Sequence, residues 1–89
     1  MKMNTNEVST KLKAIIHECL MDDQIEIRES MHLVDDLGLD SMGVVDMSVQ
    51  IESEYGIILT EAEIETMKTF DDVKSMVLEK TQLKQQIEN

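Results

Sequence analysis

The chain has 89 residues, enough for one domain and too few for two, and its core must come from Met, Leu, Ile and Val, because Tyr55 and Phe70 are the only aromatics. Cys19 is the only cysteine, His17, Cys19 and His32 lack a metal-binding spacing, and no apolar run suits a signal peptide or membrane span, so the expected compartment is the cytoplasm. Eight basic residues against nineteen acidic ones leave a formal charge of −11, which speaks against nucleic acid and membranes as partners and for basic protein surfaces.

With no proline and little strand-like alternation, helices are favoured throughout. Asn4 and Glu7 have the spacing of a capping box, and Val8, Leu12, Ile15, Ile16 and Cys19 recur as one apolar stripe, which predicts a first helix over 4–20. From Met21 to Asp40 no period persists, yet Ile25, Ile27, Leu33, Val34, Leu37 and Leu39 are too apolar for a free linker. This stretch reads as a long ordered loop laid across helices, with Gly38 supplying a backbone conformation that other residues resist.

A second helix begins at Asp40–Ser41, both good N-cap types, carries Val44, Val45, Met47, Val49 and Ile51, and stops at Gly56 after Tyr55. Thr60 and Glu63 form another box, opening a short helix over 60–67 with Ile64 and Met67. Thr69 and Asp72 suggest a third, opening a helix over 70–86 with Phe70, Val73, Met76 and Val77 inward and fraying within Lys84–Asn89. The expected fold is all-α: a small four-helix bundle, its third helix short, with a long ordered loop between helices one and two.

The charge is unevenly spread. No Lys or Arg occurs between Arg28 and Lys68, and that window holds Glu29, Asp35, Asp36, Asp40, Asp46, Glu52, Glu54, Glu61, Glu63 and Glu65. Such crowding costs stability. Two readings stand at this point, general solubility and a surface made for a basic partner.

No catalytic constellation emerges. His17 and Cys19 lie about 200° apart on a helix, too far round for a nucleophile–base pair, and a lone Cys on an apolar stripe reads as core. Gly38, Gly43 and Gly56 form no phosphate loop, and no register of the acids fits a calcium loop. What remains is Asp35-Asp36-Leu37-Gly38-Leu39-Asp40-Ser41-Met42, a hydroxyl in the first turn of a helix after a glycine-containing loop. Ser41 is either a helix cap or a site of chemistry.

The run Asp36-Leu37-Gly38-Leu39-Asp40-Ser41-Met42 resembles the D-L-G-x-D-S-[LM] signature of acyl carrier proteins, and the similarity extends through Glu52, Glu54 and Tyr55 and the short acidic third helix to Phe70. In that family a transferase joins 4′-phosphopantetheine from coenzyme A to the motif serine. The resemblance therefore implies Ser41 as the attachment residue with Asp40 beside it, no catalytic residue and no metal. It also implies a monomer that holds acyl groups as thioesters on the arm. The implied partners are a phosphopantetheinyl transferase and acyl-loading and acyl-processing enzymes, whose basic patches would meet Asp40, Asp46 and Glu52 on the second helix, with Met42 and Val49 as apolar contacts between them. The alternative is an acidic helical adaptor for a basic partner, with Ser41 only a cap.

Three departures from fatty-acid-synthesis carriers stand out: Gly43 in place of an acid two residues after the serine, Ser53 in place of the second acid of a Glu pair, and no proline near Thr60. Gly43 in this setting resembles carriers outside housekeeping synthesis, such as D-alanyl carrier proteins, and implies a dedicated fatty-acid, polyketide or related pathway. Val45, Ile57, Leu59, Ile64 and Met67 could line a cargo cavity or serve as ordinary core.

Overall fold

The computed structural model describes residues 4–88, with side chains through Leu83. Four helices follow one another: α1 (Thr5–Leu20), α2 (Ser41–Tyr55), α3 (Glu61–Thr66) and α4 (Phe70–Glu88). There is no strand among the described residues beyond one isolated bridge, His32 to Thr69, so the architecture is an all-α bundle with a short third helix. No helix of the described residues is long and apolar enough to cross a membrane.

Local signals account for most of the helix ends. Thr60 and Glu63 form a reciprocal capping box at α3. Asp72 and Thr69 do the same at α4, the Asp72 carboxylate accepting from Thr69 N (3.0 Å) and the Thr69 hydroxyl from Asp72 N (3.2 Å). At α1, Asn4 Oδ1 accepts from Asn6 N (2.7 Å), so the cap is made through the second helical residue and not through the Glu7 arm of a box. Gly56 ends α2 at φ 63°, a left-handed conformation that costs glycine nothing. α4 runs on to Glu88, past the point where fraying is expected at Lys84. The Lys-Gln-Gln-Ile-Glu stretch contains no breaker, and Lys, Gln and Glu are good helix formers. Asn89 lies outside the described residues.

The core is aliphatic. α1 contributes Val8, Leu12, Ile15 and Ile16, α2 contributes Met47, Ile51 and Tyr55, and α4 contributes Phe70, Val73 and Val77. Each such side chain, fully buried, contributes about 1.5–3 kcal/mol. Cys19 packs at the edge of this cluster, only half-buried, because the stripe it shares with Ile15 and Ile16 reaches solvent in the last turn of α1.

The loop 21–40 is held at both of its faces. Ile27, Leu33, Leu37 and Leu39 are buried, and Ile25 is partly so. Val34 is 47% exposed, contrary to its expected role as an anchor: within the helical turn 32–38, Leu33 and Leu37 share the inner face and Val34 lies a quarter-turn round. Backbone bonds stitch the loop to the start of α4, from Leu33 N to Lys68 O (2.9 Å), Phe70 N to Met31 O (3.0 Å) and Asp71 N to Glu29 O (2.9 Å). The buried Lys74 ammonium on α4 then pairs with the Glu29 carboxylate, and lies 3.8 Å from Asp71. These ties fix where the loop delivers Asp40.

Candidate functional site

α2 starts where the loop's last anchor, Leu39, enters the core. Asp40 has extended backbone (φ −93°, ψ −177°), and its Oδ1 accepts from Gly43 N at 2.7 Å. Asp40 is therefore the N-cap, and Ser41 is the first helical residue. The Ser41 side chain is exposed, and its hydroxyl has no hydrogen-bond partner among the described residues. Sequence alone allowed either residue to cap; the structure leaves the serine uncommitted.

Of the first-turn amides, Gly43 N is capped by the Asp40 side chain and Val44 N bonds to Asp40 O (2.9 Å), while those of Ser41 and Met42 lie at the open helix end. The first turn carries no acidic side chain. An anionic phosphodiester joined to Ser41 would meet two free N–H donors and the positive end of the α2 dipole, while the neighbouring Asp40 carboxylate is engaged with Gly43 N. The residues present fit such a group.

Beside Ser41 a groove of about 800 Å³ runs between α2, α3 and the loop. Val34, Val44, Val45, Ile64 and Met67 give it an apolar lining, and Asp40, Glu61, Glu65, His32 and Lys68 give it a polar margin. The five residues that could have lined a cargo cavity divide here. Val45, Ile64 and Met67 line the groove, whereas Ile57 and Leu59 are buried in the core cluster. His32, Val34 and Lys68 were not legible as groove residues. They reach it because the loop is stitched to the α3–α4 junction, a pairing between residues 35 apart.

The exposed side of α2 carries Met42 (78% exposed), Val45 and Val49 (both 56%) at helical spacing, with Asp46 exposed among them. Glu52 shares this face by its spacing, but its side chain is committed elsewhere. Its carboxylate turns back to accept from Leu59 N (2.7 Å), because the backbone of the part-buried turn after Gly56 needs an acceptor there.

Nothing else nearby competes as a nucleophile. The Cys19 thiol is pushed up to about 11 by burial and then by Asp46, whose carboxylate lies 3.7 Å away. A thiol so placed is almost wholly protonated at neutral pH. His17 Nε2 lies 2.7 Å from Ile25 O and ties the loop to α1.

The family described as "Phosphopantetheine attachment site" matches residues 10–77 of this chain. The acyl carrier protein of Thermotoga maritima is 38% identical over 74 residues, which cover 83% of this chain and 91% of that protein. The acyl carrier protein of Petrotoga mobilis is 33% identical over 78 residues, covering 88% and 92% respectively.

Proposed function

This chain belongs to the acyl carrier protein family, a family of carriers and not catalysts whose members bear acyl groups on covalent 4′-phosphopantetheine, and from that premise we propose that Ser41 is the attachment residue. The arm, when joined, supplies a thiol that holds the acyl group as a thioester. The chain's own residues do the rest. Asp40 caps α2 and so leaves the Ser41 hydroxyl unengaged and pointing to solvent. The N–H groups of Ser41 and Met42 and the α2 dipole would hold the phosphodiester. The observation that carries the reading is the division of labour between Asp40 and Ser41. A serine kept only as a cap would be expected to accept the hydrogen bond that Asp40 takes.

Family members work with a phosphopantetheinyl transferase and with biosynthetic enzymes. The proposed docking face for those partners is α2, where Asp40, Asp46 and Glu52 meet basic patches and Met42 and Val49 make apolar contacts between them; one Glu52 oxygen also holds Leu59 N. Contacts of this kind raise association rates more than affinity, which suits a shuttle that must also leave. The pathway is proposed to be a dedicated one, for fatty-acid, polyketide or related synthesis in the cytoplasm, on the strength of Gly43, Ser53 and the missing proline.

Intact mass tests the central claim. Incubation with coenzyme A and a broad-specificity phosphopantetheinyl transferase is expected to add a single arm, mapped to Ser41 and absent from Ser41→Ala. If several active transferases add nothing, the acidic-adaptor reading takes over. The pathway is tested by which ketosynthase or ligase accepts the loaded chain, and preferential turnover by housekeeping fatty-acid enzymes would defeat the dedicated assignment.

A further inference from the structure

Gly43 is the third residue of α2, and helices disfavour glycine at interior positions. Its conformation does not require glycine, since positive φ among the described residues is confined to Met21, Gly38 and Gly56. Its surroundings do. A Cβ at this position would lie 2.9 Å from Leu39 Cδ2 and 3.3 Å from Asp40 Oδ1, the oxygen that caps α2. Leu39 is 3% exposed, so its side chain can retreat only by displacing packed core neighbours. Any side chain at 43 therefore presses on the two residues that immediately precede Ser41.

We infer that Gly43 is a positioning residue for the modification of Ser41: its missing side chain forms a notch that seats Leu39 and the Asp40 carboxylate, and these set the direction in which the Ser41 hydroxyl leaves the helix. The inference rests on the reading of Ser41 as the attachment residue. In that reaction the Ser41 oxygen bonds to the phosphorus next to pantetheine in coenzyme A, the pyrophosphate bond breaks, and adenosine 3′,5′-bisphosphate leaves. The serine proton passes to the transferase or to solvent. A transfer of this kind depends on the line of approach of the oxygen, so a small displacement of Ser41 slows the step without weakening docking on the rest of α2.

Steady-state phosphopantetheinylation of the full chain separates the possibilities, with coenzyme A, one transferase, and the wild type, Gly43→Ala, and Gly43→Ala combined with Leu39→Val. Gly43→Ala is expected to lower kcat about tenfold while KM for the carrier stays within about twofold. Leu39→Val removes the methyl that the new Cβ would strike, and is expected to bring kcat back to within about threefold of wild type. The double variant should nevertheless melt below Gly43→Ala, because it has lost buried core. Rate and stability then move in opposite directions, which a purely structural role for Gly43 does not produce. Gly43→Ala at the wild-type kcat, or a double variant no faster than Gly43→Ala, would overturn the inference and leave the Ser41 reading intact. A wild-type chain that accepts no arm would overturn both.

Discussion

The ten acids between Arg28 and Lys68 form one run in sequence but two populations in the fold. Glu29, Glu54 and Glu63 each take a lysine from outside the window: Lys74, Lys11 at 3.7 Å and Lys80 at 2.7 Å. Asp35, Asp36, Asp40, Asp46, Glu61 and Glu65 have no lysine or arginine partner among the described residues, and Asp40, Glu61 and Glu65 border the groove next to Ser41. Glu52 serves a backbone N–H. Where the loop, α2 and α3 are tied to α1 and α4, acid is paired; around the serine it makes no ion pair with lysine or arginine among the described residues, although Lys68 shares the groove's margin. Solubility alone gives no reason for that separation, since any surface would serve. A field kept for a basic partner does.

Charge reversal on each side is the strongest way to break this comparison. Asp46→Lys, on the unpaired side, is expected to lower kcat/KM for phosphopantetheinylation about tenfold, chiefly through association rate and less so at high salt. Glu54→Lys, on the paired side, should change it less than about twofold. Stopped-flow association at several ionic strengths checks both. Equal effects from the two would return the acidic run to a general solubility role.

How far this division could be read from sequence depends on the range of the interaction. The boxes at Thr60–Glu63 and Thr69–Asp72 were legible because both partners sit three residues apart. The choice between Asp40 and Ser41 was not, since both residue types cap and only the extended backbone at Asp40 decides. Nor was the pairing of Glu29 with Lys74, 45 residues away, or the turn of Glu52 toward Leu59. The same gap explains the groove: its apolar half was visible as candidate lining in Val45, Ile64 and Met67, while His32 and Lys68 are brought there by the loop stitch alone.

A smaller effect separates the two residues at the start of α2. Asp40→Ala removes the acceptor for Gly43 N and is expected to cost about 1 kcal/mol, or roughly 5 °C in Tm. Ser41→Ala, which removes no hydrogen bond, should stay within a few tenths of a kcal/mol, a surface-type effect. Thermal melts of both variants test this. The reverse ranking would restore Ser41 as the cap, and with it the main support of the adaptor reading.

The smallest expected effect is the pH dependence of stability, and it bears on the same two populations. Glu63 is held below its ordinary value of 4.5 by Lys80 and the Thr60 N–H, and Glu29 below the same value by Lys74. Asp72 is held below 3.8 by the N–H groups of Thr69 and Lys68. Each binds a proton less readily folded than unfolded. Its stabilisation is therefore complete above the ordinary value and is lost as pH falls through the lower folded one. Urea melts followed by helical circular dichroism should then show stability level from pH 7 to about 5 and falling below about 4.5. Glu63→Gln and Asp72→Asn should flatten that acid limb, since neither replacement can be neutralised further. Glu65→Gln, which removes a charge from the unpaired group near the end of α3, should leave that limb in place and raise stability at pH 7. An acid limb that Glu65→Gln flattens as much as Glu63→Gln would mean that the two populations carry the same burden, and the contrast between paired and unpaired acid would have no energetic content.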